Sequence, residues 1–117
     1  MVTAATIYMA LTGPEGLRRT AAQSHANTLA LLEKIQSLKG VNRIFAGPLF
    51  HEAAISLAAP VQDVLSELRS NHILGGLNLE QYYPELGSAM LICATETKTS
   101  ADLGAYAGNL SRVLDRF

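Results

Sequence analysis

The chain has 117 residues, of which 49% are hydrophobic and 16% charged, with a formal net charge of −1. That supplies apolar material for one core and is too rich for a disordered chain. The near-neutral balance lacks the basic face of a nucleic-acid domain. One cysteine excludes a disulfide framework and fits a reduced, cytosolic setting. No apolar run approaches the roughly 18–20 residues of a membrane span.

The first residues, VTAATIYMAL, are apolar and helix-compatible at once, with no cap and no polar leader. No basic region precedes an apolar stretch, so no secretory signal is expected. A natural domain seldom opens in mid-pattern, and Met1 is expected to begin a piece of a longer chain. Residues 3–12 read as a short helix carrying Ile7, Tyr8 and Leu11. Gly13-Pro14 stops it, and Pro14 with Glu15 suits the first turn of a second helix, because proline lacks only an N–H that has no partner there. That helix is predicted to run to about Lys39. Leu17, Ala21, Ser24, Thr28, Leu31, Ile35 and Leu38 recur at spacings of four and three, on one face. The small polar residues in the middle of that stripe, Ser24 and Thr28, predict a close approach to whatever lies beneath.

Val41–Ala46 and His51–Leu57 read as two strands joined at Gly47-Pro48, short enough to pair antiparallel. In the second, His51, Ala53, Ile55 and Leu57 share one face, with Glu52, Ala54 and Ser56 on the other. A third helical face follows in Val61, Val64, Leu65 and Leu68, to about Asn71. The segment from His72 to Glu96 organises the rest. It breaks at Gly75-Gly76, crosses Tyr82-Tyr83-Pro84, turns at Gly87-Ser88 and enters Ala89–Ala94. That apolar run has the length and composition of a buried central strand. A glycine pair there predicts a positive φ or a close backbone approach. Thr99 and Asp102 form a capping box with aspartate in place of glutamate. Leu103, Tyr106, Leu110, Val113 and Phe117 give the buried stripe of the last helix. The order α-α-β-β-α-β-α predicts one α+β domain over residues 1–117, a mostly antiparallel three-stranded sheet covered by helices.

The chemistry-bearing residues declare no complete site. His25, His51 and His72 lack the partner spacing of a metal motif, so no metal is expected. Cys93, inside the apolar run, reads as a buried, inert thiol. Gly75-Gly76 lacks the spacing and the lysine of a phosphate loop. Tyr82-Tyr83 offers either a binding surface or a cover for the core edge. Glu96 opposes an anion at the strand end, which favours a structural reading of Thr95-Glu96-Thr97. His51-Glu52 is either a solvated strand-edge pair or a pair at the rim of a shared site. No catalytic residue is assigned.

Taken together, ATIYMALTGPEGLRRTA, GPLFHEAAISL and ILGGLNLEQYYPELGSAMLICATETKTSADL resemble the C-terminal part of subunit 1 of the two-subunit bacterial glycine dehydrogenase (decarboxylating), the P-protein of the glycine cleavage system. The likeness runs from about Ala4 to Leu114, and its most specific pieces are Gly47–Glu52 and Gly75–Thr97. It implies the small C-terminal domain of a fold-type I enzyme dependent on pyridoxal phosphate. In that family glycine is decarboxylated and its aminomethyl group passes to the lipoylated H-protein. The cofactor lysine is then expected in the partner, subunit 2, and none of Lys34, Lys39 and Lys98 sits in a cofactor motif. The resemblance makes His51, Glu52, Thr95 and Glu96 candidates for a pocket rim. It implies a pocket-closing or structural piece, inactive alone, of a cytoplasmic bacterial enzyme. Two other readings stay open. One is the small domain of another fold-type I enzyme such as an aminotransferase, in which Arg43, Arg69 or Arg112 would meet a substrate carboxylate. The other is a freestanding ligand-sensing α+β module.

Overall fold

The computed structural model describes residues 1–117. Its elements are α1 (Val2–Gln36), β1 (Val41–Arg43), β2 (Glu52–Leu57), α2 (Val61–Ser70), β3 (Leu77–Asn78), a 3-10 turn (Pro84–Leu86), β4 (Ala89–Cys93) and α3 (Ser100–Leu114). The sheet is antiparallel throughout, in the order β1-β2-β4-β3. The α+β plan agrees with the sequence, and the sheet gains a fourth strand beyond the three expected. β3 is two residues long, too short for any alternation to reveal.

α1 is two arms joined at a bend. Gly13 has φ 69° and ψ 173°, outside the helical region, and Pro14 starts the second arm. The predicted break is therefore present. Val41–Arg43 is shorter than the Val41–Ala46 strand expected. Ile44 N–H still bonds Ala54 C=O, but Arg43 then donates to the Gly47 carbonyl and folds the chain into a loop.

The pleat decides which side of the sheet is covered. Ile55 pairs with Met90 and Ala53 with Ile92, and all four are buried. Leu31, Leu32 and Ile35 of α1, Val61, Val64 and Leu68 of α2, and Leu103, Leu110 and Val113 of α3 close over this face in one cluster. Burying each such aliphatic side chain contributes about 1.5–3 kcal/mol. Phe117, expected to end the α3 stripe, lies outside it at 58% exposure. The helix stops at Leu114, so the helical spacing no longer holds at the last residue.

Two local devices set the edge of the sheet. α2 ends in a Schellman-type arrangement, with His72 N–H bonded to Arg69 C=O and Ile73 N–H to Leu68 C=O. His72 takes the left-handed position usually given to glycine, at φ 61°. Gly76 then passes so close to β4 that a Cβ there would sit 2.4 Å from the Leu91 carbonyl oxygen, at φ +154°. Gly76 serves strand approach and Gly75 the packing of α2, where a Cβ would sit 2.5 Å from Leu68 Cδ1, so both make the close approach that the sequence predicts.

Candidate functional site

The ends of β2 and β4 bring the chemistry together. Glu52 and Cys93 are direct cross-strand partners, so both side chains leave the sheet on the face opposite the helices. The ladder continues one step further, with Ala94 N–H bonded to the His51 carbonyl at 3.3 Å. One ligand atom from each of His51, Glu52 and Cys93 lies within 4.8 Å of the others. Cys93 is exposed, against the buried thiol expected. The apolar run alternates: Met90 and Ile92 face the helices while Leu91 and Cys93 face away. Partial loss of water around the sulfur, and next the Glu52 carboxylate, hold the thiol above its ordinary pKa. Residue order alone hides the pair, since Glu52 and Cys93 are far apart in the chain. The antiparallel pairing of two predicted strands is the signal that would have found it.

His51 is held from the other side. Phe50 sets its ring edge-on to the His51 ring, centroids 4.6 Å apart. The Phe50 carbonyl accepts a hydrogen bond from His25 Nδ1 at 2.9 Å, which makes His25 an interelement clamp. His51 Nδ1 is shielded from solvent and has no hydrogen-bond partner.

Glu52 and Cys93 line a groove of about 670 Å³ beside the end of β4. Its far wall is Lys98, Asp102, Leu103 and Tyr106, and the His72–Leu77 segment forms its floor. β3 pairs only with Leu91 and Met90, which leaves the rest of the β4 edge free to form this wall. Tyr106 Oη donates to the Gly75 carbonyl at 2.6 Å, and burial pushes the phenol well above its ordinary pKa. It therefore remains a donor across the working pH range.

Thr95 and Glu96, the other predicted rim residues, lie in the loop after β4 and do not line this groove. The second arm of α1 pins this loop. Asn27 Nδ2 donates to the carbonyls of Thr95 and Lys98 at 2.8 and 3.0 Å, and Thr28 Oγ1 to Ala94 at 3.1 Å. Ser24 Oγ donates to Glu96 at 3.4 Å. The polar middle of the stripe is thus a set of donors for loop backbone. Thr99 and Asp102 complete the predicted capping box, and hydrogen bonds from Thr99 hold the Asp102 carboxyl below its ordinary pKa. Tyr82 and Tyr83 are both exposed, and Tyr83 lines a second groove of about 560 Å³ with Phe45 and Leu79.

The chain is 68% identical, over 97% of its length, to a protein of Nitrosospira multiformis named "Probable glycine dehydrogenase (decarboxylating) subunit 1". A protein of the same name from Nitrosomonas europaea is 54% identical over 97% of the chain. The chain is a homologue of part of glycine dehydrogenase (decarboxylating) subunit 1. It spans about 25% of the length of these curated relatives. A solved structure titled as glycine decarboxylase (P-protein) of the glycine cleavage system, in inhibitor-bound form, superposes with a TM-score of 0.82. It is 28% identical and covers 92% of this chain, which in turn covers 24% of it. No protein-family model matches the chain. No helix is long and apolar enough to cross a membrane.

The groove beside β4 does not compose a holder for pyridoxal phosphate. Lys98 reaches the groove, but Glu52 and Asp102 share it, and Asp102 already occupies the N-terminus of α3. A phosphate would meet two carboxylates where it needs free N–H groups. Arg43, one of the arginines considered for a substrate carboxylate, is engaged with the Gly47 carbonyl.

Proposed function

We propose that this chain is the C-terminal domain of subunit 1 of the glycine cleavage P-protein. The whole enzyme, in this reading, decarboxylates glycine and passes the aminomethyl group to the lipoylated H-protein in the bacterial cytoplasm. Subunit 2 supplies the lysine that holds pyridoxal phosphate. This domain positions and closes the site, with His51, Glu52, Thr95 and Glu96 toward its rim, and is inactive alone. The observation that carries the reading is the 68% identity over 97% of the chain.

Two features of the chain support a share in a larger site. The groove carries a mixed set of charges without a complete catalytic group of its own. The first arm of α1 exposes Val2, Ile7, Tyr8, Met9 and Leu11, an apolar surface of the kind that another domain covers. Closing a site excludes water and fixes geometry, so a domain without a nucleophile still affects the rate.

The test is glycine–bicarbonate carboxyl exchange with H-protein and pyridoxal phosphate. The 117-residue chain alone should give no exchange. The longer subunit, assembled with its partner, should exchange well, and the same subunit without these residues should be weak or insoluble. Thr95→Ala or Glu96→Ala in the intact complex should lower exchange only moderately. Robust turnover by the isolated chain would overturn the reading, as would full exchange by the assembly without this domain.

A further inference from the structure

We propose that His51, Glu52 and Cys93 form a binding site for one divalent transition-metal ion of the zinc class. An imidazole, a carboxylate and a thiol already lie within 4.8 Å of one another. Donor atoms around a single zinc ion, each bound at about 2.0–2.3 Å, stand roughly 3–4 Å apart. Small side-chain rotations of Glu52 and Cys93, both exposed, close the difference.

The backbone that carries the donors is fixed. Glu52 and Cys93 are opposite residues of an antiparallel ladder, and His51 is tied to the next rung by the Ala94 N–H. Phe50 packs edge-on against the His51 ring and limits its rotation. Such packing narrows the orientations open to a ligand histidine and so lowers the entropy lost on binding.

The three side chains also lack other employment. His51 Nδ1 is buried without a partner, which calls for a missing donor, acceptor or ion. The ion pairs of the chain lie elsewhere, at Glu15 and Glu67, so the Glu52 carboxylate is uncommitted. A borderline-soft ion is the match for a thiolate, an imidazole and a carboxylate together, whereas magnesium or calcium would require oxygen donors. On binding, the Cys93 S–H bond breaks, the sulfur bonds the metal through its electron pair, and one proton goes to solvent. Thiolate and carboxylate then balance the two charges of the ion, and a water takes the fourth position.

Cobalt(II) is the probe, because it gives zinc sites a colour. The 117-residue chain, reduced and freed of metal with chelator, is titrated with cobalt(II) and then with zinc. The expected result is one equivalent bound, with a thiolate-to-cobalt band in the near ultraviolet that zinc abolishes. Cys93→Ser should lose the band, and His51→Gln and Glu52→Gln should each weaken binding at least tenfold. Glu52 is exposed, so its variant should keep the fold, which far-ultraviolet circular dichroism checks. The second measurement is alkylation of Cys93, the sole thiol. Saturating zinc should slow it at least tenfold. Absence of the band, a band indifferent to both His51→Gln and Glu52→Gln, or alkylation unslowed by zinc would each overturn the site.

Discussion

The two arms of α1 share one helix and have opposite fates. The second arm buries Leu31, Leu32 and Ile35 at 3% exposure or less and spends its polar residues on the loop after β4. The first arm is the more apolar of the two, yet Leu11 stands at 83% exposure. Composition points the wrong way and helical periodicity cannot separate the two, because each arm has its own apolar stripe. What separates them is the presence of a sheet. Beyond the bend at Gly13 no strand lies beneath the helix, and the molecule is drawn out to 47 Å along its longest axis. The stability of this chain therefore rests on the second arm, and the first arm is surface whatever its residues.

The largest test of that division lies in the helix packed beside the second arm. Leu110 of α3 is fully buried in the shared core. Leu110→Ala should lower stability by about 2–5 kcal/mol, from lost transfer energy and the cavity left behind. Chemical denaturation followed by circular dichroism measures it. A midpoint unchanged within error would mean that this face is not the core.

A smaller effect is expected from the polar contacts of the same arm. Asn27 is buried and is the donor to two loop carbonyls, those of Thr95 and Lys98. Asn27→Ala leaves both acceptors without that donor and should cost about 1–3 kcal/mol. The loop should also loosen, and faster amide exchange across residues 95–98 would report it. A loss below about 0.5 kcal/mol would mean that water replaces the side chain freely, and that Thr28 and Ser24 suffice to hold the loop from α1.

These residues also mark how far the sequence was legible. The periodic stripes located the three helices, the break at Gly13-Pro14 and the paired strands, because the core repeats the pattern that periodicity measures. Ser24 and Thr28 announced a close approach, and they make one. Asn27, one position off the stripe, carries no periodic signal although it makes the shorter contacts. β3 was invisible because its two residues depend on Gly76 lying against Leu91, a tertiary event. Cys93 departs from expectation for a simpler reason. A short apolar run reads as buried on both sides, while only one side of this sheet carries helices. Alternation from Met90 and Ile92 turns Cys93 outward, beside Glu52, and the site at the end of β2 and β4 follows from pairing rather than from any local motif.

The smallest expected effect is the sharpest test of the comparison. Leu11 is the counterpart of Leu110 in residue type, and differs only in having nothing on top of it. Leu11→Ser in this chain should change unfolding stability by less than about 0.5 kcal/mol, the range of a surface substitution. A short helix without tertiary contacts is marginal in water, so amides in residues 4–12 should also exchange much faster than those in residues 27–35. Each half of the outcome constrains the other. A Leu11→Ser loss of more than about 1 kcal/mol would show that the first arm packs, on this chain or on a second copy. Dilution separates those two cases, since only association weakens as concentration falls. An unchanged stability with slow exchange would place the arm's protection in local helix strength, and the apolar surface would then be sequence spent on helix formation alone. If Leu11→Ser is silent here but destabilises the longer subunit, the missing cover is the remainder of that subunit, and the two arms differ only because one of them meets its partner within these residues.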